Sequence, residues 1–591
     1  MAAVQRRYSV SLLLILAVVA GSVSAQSLTG LDRFIATEMA KEKAPGLALV
    51  VVKDGKLIHQ RGYGYRDVER KLPVTPETLF AIGSVSKSFT VLTLGALAQQ
   101  GELAWDRPVK SYLPDFQLFD PFATEHMTPR DLVTHRSGLP RHDGLWYGSS
   151  LKRADYYQRL RYLEPSAEFR TRYQYNNLMF VTAGYLSERI SGTSWEKLLQ
   201  QRIFLPLAMT RSYSDIAAFQ QDREPALPYV TSDKAGTIKV DYANIDAIAP
   251  AGAINSTALD MSRYLRALME GGRFEGKQVL DADTVREMQT PQMIIADTPR
   301  YPELGRGQYG MGLSLATYRG HNVVSHGGNI DGFTAYLGWL PQERVGLVLL
   351  INQGSSQLRS IVSQRVFDQM LGLKPIDWSS RYAADKALRK SADAPKDRPE
   401  VGLRKLGTAP GHALEEYVGR FEHPAYGAIE IGRDQRGLTL GYHQKRIALE
   451  HFHYDVFAAP EDDVNPLAET KVQFNTGIDG EVSSVAIVME PAIDAIVFNR
   501  RGGEEMRELS FLQKFVGTYQ LGTDTARISL QDGSLVLGYN DLPLRRLLPL
   551  HGTRFGLEGR QDHSIEFIAK DQLAYRRPGG ASVGSRAVGA E

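Results

Sequence analysis

Ser84 and Lys87 stand three residues apart in "LFAIGSVSKSFTVLTLGAL", residues 79–97, at the head of an apolar pattern of helical period. A hydroxyl at a helix start meets outward-pointing N–H groups and a dipole that favours developing negative charge. A lysine one turn on shares its face. If that lysine is held in a partly buried, cationic site, its pKa falls and it can take the serine proton, which an exposed lysine near pH 7 cannot do. The chemistry on offer is acyl transfer through a serine ester. Spacing alone is weak, because a Ser-x-x-Lys arises by chance about twice in a chain this long. Ser149/Lys152 and Ser194/Lys197 repeat it, and Lys197, in "SWEKLLQ", reads as a solvated helix face.

The elements around the pair give it a place. "GLALVVVKDGKLIHQRGYGYRD" reads as a hairpin about Asp54-Gly55, and "TAYLGWLPQERVGLVLLINQ" as a second hairpin far downstream. Helical patterns lie between them, one opening on Thr257 and Asp260 at capping-box spacing. Strands at both ends and helices between predict one sheet built from the two ends of this block, with helices covering it. Ser84 then sits on a helix start at the sheet edge.

Five blocks extend the pair: "SVSK", "TPRDLVTHRSGLP" (128–140), "YQYNN" (173–177), "PAGAINSTALDMSRYL" (250–265) and "VSHGGNIDGF" (324–333). In order and approximate spacing they resemble the penicillin-recognising serine hydrolases. The branch they are similar to holds class C β-lactamases, D-Ala-D-Ala carboxypeptidases, D-aminopeptidases and esterases, and the likeness covers residues 30–370. The resemblance implies a β-lactamase-like α/β (α+β) sandwich, an antiparallel sheet with a helical subdomain. It makes Ser84 the nucleophile, with Lys87 and Tyr175 as the other catalytic residues. Tyr175 would be general base, its phenol lowered by Lys87, and then acid for the leaving group. Asn177 would hold the carbonyl of the substrate's acyl part. His326, Gly327 and Gly328 stand for the third motif, His326 positioning Tyr175 and attracting a substrate carboxylate. The Asn329 and Ser84 N–H groups would form the oxyanion hole, able to contribute roughly 3 kcal/mol per donor. Gly327 departs from the threonine of many β-lactam binders, which shifts the expectation toward peptides or esters without a free carboxylate. His135 and Ser256 read as scaffold.

Length and composition limit the rest. The chain has 591 residues, a formal net charge of +2 without long like-charge blocks, and no cysteine. It carries no footprint for nucleic acid, and disulfides and thiolate catalysis are excluded. Arg6 and Arg7, the apolar run from Leu12 to Ala20 and Val23-Ser24-Ala25 read as a signal peptide over 1–25. That predicts a periplasmic or secreted protein with no membrane span after cleavage, since the apolar run is short of the roughly 20 residues needed.

The hydrolase domain is expected over 26–374 and a charged, proline-containing linker over 375–412. Two small all-β barrel or meander domains follow at 413–502 and 503–578, then a disordered tail at 579–591. "YVGRFE" at 417 and "FVGTYQ" at 515 open the pair, and "AIVFNR" and "QLAYRRP" are expected to close it. These domains resemble lipocalin-like appendages.

The expected function is an exported serine hydrolase cleaving amide bonds of short peptides, including those with D-residues, without cofactor or metal. A carboxylesterase or β-lactamase on the same site is the alternative. A non-catalytic penicillin-binding or envelope-regulating protein is the alternative of another class. The substrate is a small molecule or short peptide; the sequence says nothing of the oligomeric state.

Overall fold

The computed structural model describes residues 28–232, 236–393, 404–462, 465–478 and 480–587. The expected signal peptide lies outside them.

A nine-stranded antiparallel sheet organises the front block. Its order runs Met293–Ile294, Gln308–Tyr309, Ser314–Tyr318, His321–Ile330, Phe333–Leu340, Val345–Ile351, Gly46–Lys53, Lys56–Asp67, Leu72–Pro73. The two ends of the block meet at its centre, where Leu47 pairs with Ile351 and Lys53 with Val345. The Asp54-Gly55 turn has φ of +49° and +73°, the doubly positive pair that a tight two-residue hairpin requires. Side-chain alternation divides the central strand between two cores. Ala48, Val50 and Val52 face the helical subdomain. Leu47, Leu49 and Val51 face the helices Leu31–Glu42 and Leu358–Met370. Covered on both sides, the strand carries no polar residue before Lys53.

In the helical subdomain, Thr257 caps the helix Ala258–Met269 by accepting from Asp260 N at 3.1 Å. The Asp260 carboxylate does not return the bond. It accepts from Arg211 N at 2.8 Å and Ser212 Oγ at 3.1 Å, tying the helix to a neighbouring loop.

The segment expected as a linker is helical in its first part. Trp378–Asp393 forms a helix, and Trp378 is buried against Tyr301, Tyr318 and Tyr382. A few aromatics suffice to dock it, although the segment's overall polarity reads as linker. Residues 394–403 lie outside the described residues.

Two closed eight-stranded barrels follow. The first runs from Gly419–His423 to Ile496–Arg501, and the second from Gly517–Leu521 to Gly580–Arg586. Their third strands, GLTLGY (437–442) and SLVLGY (534–539), are equivalent. Both interiors are filled by side chains, among them Phe421, Phe474 and Phe498 in one and Tyr519, Phe555 and Phe567 in the other. The closing motifs are not equivalent. "AIVFNR" is the eighth strand of its barrel, whereas "QLAYRRP" is the seventh, Gln572–Arg577. The expected disordered tail supplies the eighth: Gly580–Arg586 pairs with Gln572–Arg577 and, through Arg586 and Tyr519, closes the ring. Its small polar residues carry no strand signal of their own, so backbone pairing to a finished neighbour makes it a strand.

Candidate active site

Ser84 lies in a single 3-10 turn, Gly83–Val85, that runs into the helix Ser86–Gln99. The turn packs directly against the strand His321–Ile330, and two glycines allow the approach. A Cβ on Gly328 would stand 1.9 Å from Ile82 O and 3.2 Å from Ser84 N. One on Gly83, which has φ of +52°, would stand 2.8 Å from Asn329 N. The backbone around Ser84 N and Asn329 N is therefore brought together at one spot on the sheet edge. Ser84 itself remains partly accessible.

Lys87, one turn along, has no exposed surface. Its Nζ donates to Ser84 Oγ at 3.1 Å, Asn177 Oδ1 at 2.7 Å and Ala251 O at 2.7 Å, and it lies 4.8 Å from the Tyr175 ring centre. No carboxylate among the described residues makes an ion pair with it. Burial holds the Lys87 amine well below the usual lysine range; the Arg141 charge pushes the same way and Asp143 the other. With Asn177 Oδ1 and Ala251 O holding two of its protons, an amine that gives up the third turns its lone pair to Ser84 Oγ and can accept the serine proton.

Tyr175 shares a hydrogen bond with Ser84, but burial pushes its phenol up, not down. The expectation of a phenol lowered by Lys87 is corrected: burial outweighs the Ser84 hydrogen bond and the Arg141 charge, which pull the other way. Tyr175 is a neutral phenol hydrogen-bonded to the serine.

Asn177 begins the helix Asn177–Ser191 and divides its amide. Oδ1 accepts from Lys87, while Nδ2 donates to Asp143 Oδ1 at 2.9 Å. His326 reaches the site with a different role from the expected one. Its Nδ1 lies 2.7 Å from Gly327 O and its Nε2 3.0 Å from the Tyr309 hydroxyl. A carbonyl can only accept, so Nδ1 carries the proton and Nε2 accepts from Tyr309. Burial lowers the His326 pKa to about 3, leaving no positive charge there for a carboxylate. Gly327 faces the opposite side of the strand, where a Cβ would stand 2.6 Å from an Arg359 guanidinium nitrogen. Asn329 lines the cleft, with its side-chain oxygen accepting from Thr334 at 3.0 Å.

His135 is scaffold: its Nδ1 accepts from Asn176 N at 3.0 Å and its ring packs 4.2 Å from that of Tyr175. Ser194, which repeats the Ser-x-x-Lys spacing, is a plain cap, accepting from Lys197 N at the start of Trp195–Leu199.

The cleft in front of Ser84 holds about 450 Å³, within the range of small-ligand sites. Its walls include residues that sequence reasoning missed: Arg141, Asp143, Trp146, Tyr147 and Asp331. Asp143 accepts from Trp146 Nε1 at 2.7 Å and Arg141 Nε at 2.6 Å, and the Tyr147 hydroxyl donates across the cleft to Asp331. The signal was adjacent, since "TPRDLVTHRSGLP" ends at Pro140, one residue short of Arg141. His142-Asp143-Gly144 has the same His-x-Gly spacing as His326-Gly327-Gly328, and its Asp143 is part of the site.

Comparison with known proteins agrees with this geometry. The Beta-lactamase family model matches residues 31–370, and a Domain of unknown function (DUF3471) matches 403–500. The unguisins hydrolase ungD' of Aspergillus campestris is 26% identical over 491 residues, covering 79% of this chain and 90% of that protein. A D-aminopeptidase of Cereibacter sphaeroides is 25% identical over 581 residues, 95% of this chain and 96% of its own length. Among solved structures, the octameric penicillin-binding protein homologue from Pyrococcus abyssi superposes with a TM-score of 0.52 at 23% identity. It covers 80% of this chain and all of that one, a likeness of fold. No described helix is long and apolar enough to cross a membrane. The chain is a serine hydrolase and belongs to the beta-lactamase family, of the penicillin-recognising type.

Proposed function

We propose that the protein is an exported amidohydrolase that opens amide bonds of short peptides, including those bearing D-residues, through an ester on Ser84. The observation that carries this reading is the environment of Lys87: fully buried, unpaired with any carboxylate among the described residues, and 3.1 Å from Ser84 Oγ. Ser84 Oγ attacks the amide carbonyl carbon as its proton passes to Lys87 Nζ, giving a tetrahedral oxyanion beside the Ser84 and Asn329 N–H groups. Collapse breaks the C–N bond, and the proton travels from Lys87 through the Tyr175 hydroxyl to the departing nitrogen. Water then attacks the ester, giving its proton to Lys87 and releasing the acid, and Ser84 recovers its proton. Asn177 keeps the amine aimed at the serine.

The substrate class is supported by the 450 Å³ cleft and by the D-aminopeptidase and unguisins hydrolase among the relatives. Gly327 without a hydroxyl and a neutral His326 weaken the motif that would hold a β-lactam carboxylate, so esters and β-lactams rank below peptides. Export rests on Arg6, Arg7 and the apolar run before Ala25, and N-terminal sequencing of the mature protein tests it.

The decisive experiment takes the purified chain against a fluorophosphonate probe and a panel of D- and L-aminoacyl amides, carboxylic esters and a chromogenic cephalosporin. Covalent labelling that vanishes in Ser84→Ala, with turnover of amides, supports the reading. Ester turnover without any amide turnover makes the enzyme an esterase. No labelling at all leaves a binding protein.

A further inference from the structure

The first barrel does not hang free of the catalytic domain. Four of its side chains grip the segment 141–147. The Glu490 carboxylate accepts from His142 N at 2.8 Å, and the Tyr426 hydroxyl donates to His142 Nδ1 at 2.7 Å. Tyr442 donates to Gly144 O at 2.8 Å, and His443 Nδ1 to Tyr147 O at 2.7 Å. His142 is fully buried and holds φ of +50°. A non-glycine residue keeps that conformation only where its surroundings impose it.

The next residue, Asp143, is where the grip meets the chemistry. It receives the Asn177 amide, whose oxygen receives Lys87, whose amine donates to Ser84. Four residues on, Tyr147 reaches across the cleft to Asp331. An unbroken line of hydrogen bonds and covalent neighbours thus runs from Glu490 in the barrel to the serine hydroxyl, and a second from His443 to the far wall.

We propose that the first barrel is a working part of the active site, its Glu490 and His443 acting as positioning residues. They fix 141–147 so that Asp143 orients Asn177 and Lys87 and Tyr147 closes the cleft. The proposal rests on the reading of Ser84 and Lys87 as the acylating pair. It gives the barrel a role that a stabilising appendage, or a holder of a ligand in its filled interior, would not have.

The test is the acylation rate and its pH profile in the full chain, measured with the fluorophosphonate probe. The Lys87 amine faces Arg141 and Asp143 from the gripped segment, Tyr175 from the neighbouring loop, and the neutral His135 and His326 behind it. Burial and the Arg141 charge are the two larger influences holding Lys87 down, and Asp143 is the smaller, opposing one. Loosening 141–147 relieves both larger influences, so Lys87 regains affinity for its proton. In Glu490→Ala/His443→Ala the rate at pH 7 is expected to fall at least about tenfold, with the acid limb moved to higher pH. His443→Asn, whose amide can stand where the imidazole Nδ1–H stands, is expected to restore both relative to His443→Ala. A double variant with the wild-type rate and limb overturns the proposal. A lower rate with an unmoved limb overturns it too, because the barrel would then merely support the fold. Should the double variant fail to fold, the two His443 variants decide on the same criteria. Absence of labelling in the wild type would instead remove the Ser84 reading beneath it.

Discussion

The Tyr309 hydroxyl donates to His326 Nε2 at 3.0 Å, while the other ring nitrogen spends its proton on the Gly327 carbonyl. With both nitrogens occupied inside the protein and the pKa lowered to about 3 by burial, His326 is neutral at pH 7. His326→Gln should therefore leave the acid limb of kcat/KM where it stands in the wild type, even as the orphaned Tyr309 hydroxyl lowers the rate. A limb that disappears would show that the histidine titrates in catalysis. The same depression has a stability consequence. The folded pKa lies below the unfolded value of 6.5, so the contribution is complete above pH 6.5 and is lost as pH falls toward 3.

Lys87 supplies the limb instead. Its amine is held below the ordinary value of 10.5, so acylation should rise with pH through that lowered value and level off above it. Lys87→Arg keeps a cation that cannot give up its proton, and is expected to slow acylation roughly 1,000-fold. Unfolding provides an independent check. Between the lowered pKa and 10.5 the unfolded chain binds one proton more than the folded one. Wild-type stability minus that of Lys87→Met should then rise by about 1.4 kcal/mol per pH unit. Denaturant titrations of both proteins at several pH values measure this difference.

Much of this arrangement was legible in the sequence for a physical reason. Ser84, Lys87, Tyr175 and Asn177 lie on helix starts and the loops leading into them, where local pattern and residue type coincide. The two strands that join at Leu47 and Ile351 are the continuous apolar runs of a sheet centre covered on both faces. Arg141, Asp143 and Tyr147 were not legible, because they sit in a loop without periodicity and derive their place from Glu490 and His443, about 300 to 350 residues away in the chain. Tyr309 was hidden in a two-residue strand, too short to show a pattern. The electrostatics were hidden as well: a lysine and a histidine look alike as motif letters, whether or not burial weakens their hold on a proton.

The junction of serine turn and strand depends on glycines 83 and 328, and a methyl group is enough to probe it. Gly328→Ala would place a Cβ 1.9 Å from Ile82 O, so the strand must move off the turn, and with it the Asn329 N–H that should share the oxyanion. The expected result is a loss of kcat of about 100-fold or more, the magnitude associated with one displaced oxyanion donor, with KM changed much less. Labelling should slow in parallel, since the same charge develops on phosphonylation. Gly327→Ala is the contrasting neighbour. Its Cβ would meet the far end of the Arg359 side chain at 2.6 Å on the other face of the strand. A long flexible side chain can give way, and the activity cost should be far smaller.

The strand Gly580–Arg586 offers a test of which barrel matters to catalysis. It pairs along Gln572–Arg577 and supplies the partner of Tyr519 that closes the second ring. A stop after Gly579 leaves two open edges and uncovers backbone donors that had partners, a condition that invites association between chains. Phe567, Leu573 and Tyr575, buried beneath the closed sheet, lose part of their cover. Truncation should abolish the second barrel's cooperative unfolding transition and raise dye binding to exposed apolar surface. The grip on 141–147 comes wholly from residues of the first barrel, Tyr426, Tyr442, His443 and Glu490, so the acylation rate of the truncated chain should stay within about twofold of the intact one. Differential scanning calorimetry and fluorophosphonate labelling on the same preparation separate the two effects. A rate that collapses together with the second barrel would mean that the two barrels act on the cleft as one body.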